Sequence, residues 1–162
     1  MLHMDIQICI MSAMSPQQTK DYFKHYGVEC EAVDGRIQRV RWVPPRRSAI
    51  TVSLWITTCH PLIYALGESF LPYMDATVCL WHDHDALSCI KIPEAVPQVE
   101  AYTQSIWLAS TTYPPKLRNT GRAVRKFYDM HGFERPLYHQ STLVDMIERI
   151  TKHHISMVKH LK

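Results

Sequence analysis

The most polar short segment of the sequence is residues 81–85, with the order Trp-His-Asp-His-Asp. His82 and His84 are two residues apart, so on a continuing strand both imidazoles would point to the same side. Two imidazoles with a nearby carboxylate form a ligand set for a divalent metal, and a metal-bound water could then carry out hydrolysis. The same polar residue types are also typical of a hairpin turn. The candidate metal ligands are His82, His84 and Asp85, with His60 or His3 as a further ligand.

Other catalytic motifs are missing from the sequence. It has neither a GxSxG elbow nor a GxGxxG or Walker A loop, and it holds only five glycines. A loop that cradles phosphate needs glycine, so nucleotide-dependent chemistry is disfavoured. Cys59 and His60 are adjacent, so their side chains diverge on a strand and need not meet as a nucleophile–base pair, and the sequence does not show whether Cys79 or Cys89 lies near a distant histidine. We therefore assign no catalytic residue.

Charge is unevenly distributed along the chain. The net charge is +3, but residues 1–47 carry a balance of +2, residues 48–110 a balance of −5 and residues 111–162 a balance of +6. Such segregation bears on partners and association rather than on the fold.

The basic residues fall into clusters, which we interpret as the contact surface for a protein or nucleoprotein partner, with nucleic acid as a further candidate. The alternative interpretation is a set of solvated faces, with cations near helix C-termini. A third cluster, around Arg149 and Lys152, lies near the end of the chain. The candidate partner-binding residues are Arg36, Arg39, Arg41, Arg46 and Arg47 in the first cluster, and Lys116, Arg118, Arg122, Arg125 and Lys126 in the second.

The first basic cluster includes a predicted strand on which Arg39 and Arg41 share one face. Exposed arginines beside Trp42 could hold phosphates while the indole stacks on a base. The alternative is an edge strand whose charges prevent sheets from associating.

Cysteine content indicates a reducing compartment. There are five cysteines, an odd number, and no CxxC pair. A chain of 162 residues is long enough to form a core without disulfides. We therefore expect free thiols and a cytoplasmic location, and no apolar run approaches the ~20 residues of a membrane span.

The first half of the chain contains one clear helix and several strands. Ser15, Pro16 and Gln18 form a capping box with proline at the first helical position, and Gly27 can end the helix. Asp34-Gly35 predicts a hairpin turn between two strands. The predicted elements are a helix over 15–26, strands over 28–33, 36–43 and 49–57, and a short helix over 62–70.

The second half of the chain is predicted to contain one more hairpin followed by helices. Alternating residues favour strands on either side of the polar segment. Apolar positions spaced by three or four residues favour helices after it. The predicted elements are strands over 76–82 and 86–92 and helices over 96–110, 120–132 and 141–162.

These elements predict a single α+β domain over residues 1–162. It would have an antiparallel sheet of about five strands, helices packed on one face, an N-terminal helix and a helical C-terminal third. For function, we expect a non-enzymatic interaction module of the regulator, adaptor or inhibitor type, without a cofactor. The alternatives are a small hydrolase or nuclease with a divalent metal, and a protein that binds nucleic acid directly. The last helix is either docked on its own sheet or shared in a homodimer.

Overall fold

The computed structural model describes residues 3–31, 33–43, 49–82, 86–103, 105–110 and 143–160. They form five strands, five helices and a 3-10 turn at Leu71–Tyr73. The strands are β1 (Met4–Ser12), β2 (Gln38–Trp42), β3 (Ile50–Thr58), β4 (Ala76–Trp81) and β5 (Ile106–Ser110). The helices are α1 (Pro16–His25), α2 (Pro61–Ala65), α3 (Gly67–Phe70), α4 (Ala86–Glu100) and α5 (Leu143–His160).

The sheet is mostly parallel, which corrects the prediction of an antiparallel sheet. Its strand order is β2-β3-β1-β4-β5. β1 pairs in parallel with β3 and β4, and β4 pairs in parallel with β5. Only β2 runs antiparallel, against β3. The predicted count of about five strands is confirmed.

Helices cover both faces of the sheet, so the prediction of helices on one face is wrong. On one face, Ile6, Ile8 and Ile10 form a core with Phe23 of α1 and Ile147 of α5. On the other face, a second core contains Cys9, Met11, Cys79 and Trp81 of the sheet. Its helical residues are Ile63, Ile92, Val96 and Val99. Parallel strands connected through helices are expected to be covered in this way.

β1 was not predicted because only its first half, from Met4 to Ile8, alternates between apolar and polar residues. From Ile8 to Ser12 all of its residues are buried. A strand buried on both faces is a continuous apolar run, which periodicity cannot distinguish from other buried segments. The alternation that identifies a half-buried strand is therefore absent from the second half of β1.

The region after β4 also differs from the prediction. Residues 86–92, predicted as a returning strand, are the first half of α4. That helix ends at Glu100, and residues 106–110 of the predicted helix are β5. The segment over 28–31 is not a strand, and only residues 38–42 of the predicted 36–43 strand are β2. The helix predicted over 120–132 lies outside the described residues.

The predicted termini of α1 agree with the structure. The Ser15 hydroxyl accepts from the Gln18 amide at 3.2 Å, and the Gln18 side chain accepts from the Ser15 amide at 3.1 Å. Gly27 follows with φ at 75°.

α5 lies within the helix predicted over 141–162. Its buried residues Met146, Ile147 and Ile150 pack on the sheet of the same chain. Among the described helices, none has the length and apolar character to span a membrane.

Candidate protein-interaction surface

The arginines of β2 are exposed on a face of the sheet whose neighbouring β3 side chains are half-buried or buried. Arg39 and Arg41 are exposed and share one face of the strand. In the antiparallel pairing Arg39 lies opposite Trp55 and Arg41 lies opposite Ser53. We call this face, with Asp5 and Gln7 of β1 beside it, the β2–β3 surface.

Arg39 is held in place by two contacts. Its guanidinium carbon lies 5.2 Å from the centre of the half-buried Trp55 ring. Its Nη2 donates to the Ser53 hydroxyl at 3.2 Å. A cation above an indole gains energy from the ring quadrupole, about 0.5–1 kcal/mol at an exposed site. The Arg39 guanidinium therefore has two contacts within the sheet, one with the indole and one with a hydroxyl.

β1 supports the two strand residues from the other side. Trp55 Nε1 donates to Gln7 Oε1 at 2.7 Å, which fixes the ring. The Ser53 hydroxyl donates to Asp5 Oδ1 at 3.4 Å. Because these contacts link β1, β2 and β3, the arrangement depends on the whole edge of the sheet rather than on β2 alone.

The indole beside the arginines is Trp55, whereas the sequence suggested Trp42. Trp42 lies on the opposite face of β2 and packs against the core that includes α1. The sequence did contain a signal for Trp55, since Ser53, Trp55 and Thr57 alternate with apolar residues in β3. Only the pairing register shows that Trp55 lies opposite Arg39.

The remaining predicted partner-binding residues are placed as follows. Arg36 is exposed and precedes β2, and its carbonyl accepts from the Thr57 hydroxyl at 2.8 Å. Arg46 and Arg47 lie outside the described residues, as do Lys116, Arg118, Arg122, Arg125 and Lys126. Their part in a partner surface stays a prediction.

The described cations of the third basic cluster are on α5. Arg149 and Lys152 are exposed on that helix, and Lys152 lies 4.0 Å from Glu148. α5 packs on the sheet face opposite to Arg39 and Arg41. These cations therefore belong to a different side of the molecule from the β2–β3 surface.

The carboxyl edge of the sheet is the usual ligand site in this architecture. The chain passes from β3 on one side of β1 to β4 on the other, and ligands generally bind where the strand order reverses in this way. Nucleotide-binding proteins place a glycine-rich loop there, and its free amides face the phosphates. Here the loop between β1 and α1 is Ala13-Met14-Ser15, without glycine or lysine.

Within this loop the amides already have acceptors. The Ala13 amide donates to the Leu80 carbonyl at 2.8 Å, which extends the pairing of β1 with β4 across the switch point. The Met14 amide donates to the Ser12 hydroxyl at 3.2 Å. The Ser15 amide is used in the capping box, and Pro16 has no amide proton. These residues do not fit a phosphate group.

We predict that Mg²⁺ complexes of ATP and GTP do not bind at this edge. In a titration with fluorescent nucleotide analogues, no saturable binding is expected below about 1 mM, an affinity of only ~4 kcal/mol. A protein with a Walker A loop serves as the positive control. A dissociation constant in the micromolar range would contradict this account of the loop.

The thiols of Cys9, Cys59 and Cys79 and the phenol of Tyr64 influence one another's pKa values in the second core. Burial, with Cys59 as a smaller contribution, raises the pKa of the fully buried Cys9 thiol. Burial likewise raises the pKa of Cys79, and it raises that of Cys59 to about 11 despite a hydrogen bond with Tyr64. A thiol is nucleophilic only as thiolate, so these cysteines are inert near neutral pH. The four described cysteines, which include Cys30, are free thiols, in agreement with the expectation from composition.

The proposed metal ligands are only partly described. His82 is half-buried at the end of β4, while His84 and Asp85 lie outside the described residues. His60 caps α2, where its Nδ1 accepts from the Leu62 amide at 3.2 Å. His3 precedes β1 at the other end of the parallel strands, and nine strand residues at ~3.3 Å each separate it from that edge. His3 is therefore too distant to join His82.

Among the described side chains, no three His, Cys, Asp or Glu residues lie close enough together to hold one metal ion. The metal hypothesis on His82, His84 and Asp85 stays a prediction.

One open groove of about 450 Å³ lies between α1 and the start of β2. Its charged side chains are two lysines and two glutamates, so it presents no excess of either sign. It is lined by Lys20, Lys24, Val28, Glu29, Cys30, Glu31 and Gln38.

Comparison of the chain with protein-family models and with curated proteins found no match.

Proposed function

We propose that this protein is a non-enzymatic interaction module, of the regulator, adaptor or inhibitor type, which binds an acidic protein partner through the β2–β3 surface. The observation that carries the proposal is the guanidinium of Arg39, fixed above Trp55 next to the exposed Arg41. Arginine and tryptophan are the residue types most often responsible for binding energy at protein interfaces.

The geometry favours a carboxylate-bearing partner. Guanidinium groups bind carboxylates through two parallel hydrogen bonds, which are among the stronger hydrogen bonds in proteins. Arg39 is already ordered by Trp55 and Ser53, so binding would cost less side-chain entropy than for a mobile arginine. Among the described residues, Arg41 forms no ion pair that would compete with a partner.

A protein partner is favoured over nucleic acid at this surface. Base stacking needs an open aromatic face, but Arg39 covers one face of Trp55 and the indole Nε1 is bound to Gln7. The exposed Asp5 carboxylate, which accepts from Ser53 beside Arg39, would repel phosphates and carboxylates alike, so it does not distinguish the two kinds of partner. The preference for a protein partner therefore depends on the covered indole.

The proposal is tested with poly-L-glutamate as the acidic probe. Replacing Arg39 and Arg41 together by alanine is expected to weaken binding about tenfold, equivalent to ~1.4 kcal/mol. Binding by the unchanged protein should weaken between about 50 and 300 mM salt, because exposed charges are screened. Fluorescence anisotropy with labelled polymer measures both effects.

The matched control removes the same charge from the opposite side of the sheet. Arg149→Ala with Lys152→Ala should leave poly-L-glutamate binding within about twofold, since Debye screening at physiological salt acts over ~8 Å. Equal losses in both double variants would overturn the assignment to the β2–β3 surface. Tighter binding of a single-stranded oligonucleotide than of poly-L-glutamate, lost with Arg39 and Arg41, would instead identify a nucleic-acid-binding protein.

A further inference from the structure

β2 is an edge strand whose second side is unpaired within the described part of the chain. It lies first in the strand order and pairs with β3 alone. An edge strand directs the amides and carbonyls of every second residue away from the sheet, where another strand can pair with them. Addition of an extended segment to such an edge is a common way of recognising peptides.

The side chains of β2 specify which segment would fit. Arg39 and Arg41 are exposed on one face, whereas Val40 and Trp42 are half-buried on the other and pack against the core. Residues two apart on a strand are separated by ~6.6 Å, and the period is the same in an added strand. A segment that alternates acidic and apolar residues would therefore meet the arginines with its carboxylates and Val40 and Trp42 with its apolar side chains.

The same arginines act against self-association. A second copy of β2 paired antiparallel at this edge would bring arginines of the two copies onto one face, close to each other. Like charges in cross-strand positions are destabilising. The charges therefore select an acidic strand and disfavour a second copy of this protein.

Resting on the proposed function, we infer that β2 binds its partner by strand addition, and that the partner segment is an extended peptide with acidic residues at alternate positions. Backbone hydrogen bonds supply part of the affinity, while Arg39 and Arg41 determine which sequences bind. Nucleic acid lacks the regularly spaced amides and carbonyls that such pairing needs.

The test uses a short fluorescent peptide in which glutamate and valine alternate. Two N-methylated versions carry the methyl groups on one or the other set of alternate amides. In strand addition only one set faces β2, so one version should bind at least tenfold more weakly than the other. A peptide of the same composition with all glutamates before all valines should also bind weakly.

Charge reversal in the protein provides the second measurement. Arg41→Glu leaves the contact of Arg39 with Trp55 untouched and should reduce affinity for the Glu–Val peptide at least tenfold. Arg39→Glu with Arg41→Glu should lose that peptide and gain a Lys–Val peptide, while Arg149→Ala with Lys152→Ala should change neither affinity. Circular dichroism of every variant checks that the fold is kept. If the double variant does not fold, the single variant Arg41→Glu provides the test.

The outcomes separate this inference from the proposed function. If both N-methylated peptides bind like the parent while Arg39 and Arg41 remain necessary, strand addition is wrong and the acidic-partner proposal stands. If neither the peptides nor poly-L-glutamate depend on Arg39 and Arg41, both are overturned. Concentration-dependent dimerisation that competes with the peptide would show that a second copy occupies the edge, and would overturn the inference.

Discussion

Replacing Trp81 by alanine is expected to lower the free energy of unfolding by about 3–5 kcal/mol, the usual cost of removing a large buried aromatic side chain. Trp81 is fully buried at the end of β4. It belongs to the core that includes Ile63, Ile92 and Val96, so its removal leaves a cavity between the sheet and two helices. Urea unfolding followed by circular dichroism gives the change in free energy.

Two further variants calibrate the Trp81 measurement. Tyr73→Ala removes an aromatic side chain that is 74% exposed, and its effect should stay within about 0.5 kcal/mol. Trp81→Phe retains part of the packing and should cost less than Trp81→Ala. A Trp81→Ala protein as stable as Tyr73→Ala would show that no helix covers this face of β4.

The burial of Trp81 distinguishes the observed architecture from the predicted one. In β4, Ala76, Val78 and Leu80 alternate with Thr77, Cys79 and Trp81, and this alternation suggested a sheet with one solvated face. The structure buries all six residues, because helices pack on both faces. Threonine, cysteine and tryptophan can be either exposed or buried, so their positions alone could not decide between the two architectures.

The elements that were predicted correctly are those with local signals. The N-terminus of α1 has a capping box, and the strand predicted over 49–57 shows strong alternation that becomes β3. β1 alternates only from Met4 to Ile8, and β5 is apolar from Ile106 to Ala109, so neither strand shows a clear pattern along its whole length. The topology could not be predicted, because parallel pairing joins strands that are far apart in the sequence and local patterns do not show which strands pair.

The candidate surface was predictable in part for the same reason. Alternation along β2 was enough to put Arg39 and Arg41 on one face. Their aromatic neighbour was not predictable, because the choice between Trp42 and Trp55 depends on the register of two strands. Contacts on a sheet surface join residues of neighbouring strands, whereas a sequence pattern shows only which residues of one strand share a face.

The two regions of the sheet that are most often used for binding differ clearly in this protein. At the carboxyl edge, the loop amides bind protein acceptors such as the Leu80 carbonyl and the Ser12 hydroxyl. At the β2 edge, described cations and one side of a strand remain accessible. The described residues therefore favour the proposed recognition at the outer strand over phosphate binding at the β1–α1 loop.

Because the thiols of Cys9, Cys59 and Cys79 lie in the second core, we expect the protein to lose stability in alkaline solution. An unperturbed cysteine has a pKa of 9.0, whereas burial raises the pKa of Cys9 and Cys79 and raises that of Cys59 to about 11. Above pH 9 the unfolded chain therefore loses thiol protons that the folded protein retains, so stability falls as pH rises. Each thiol contributes ~1.4 kcal/mol per pH unit in this range, which gives about 4 kcal/mol for the three thiols at pH 10.

Urea unfolding between pH 8 and pH 10 under reducing conditions measures this slope, and Cys79→Ala provides the control. Removing Cys79 should reduce by about a third the pH dependence that Cys9, Cys59 and Cys79 contribute, whatever the substitution costs at neutral pH. Burial also raises the pKa of Cys30, but that thiol contributes equally with and without Cys79. The measurement stops at pH 10 because Tyr22 and Tyr64, whose pKa values are also raised by burial, begin to contribute above it. A slope that is flat, or the same with and without Cys79, would mean that these thiols reach solvent in the folded protein. Because Cys9 and Cys79 are buried only when helices cover that face of the sheet, the alkaline slope tests the same architecture as Trp81 without disturbing the packing.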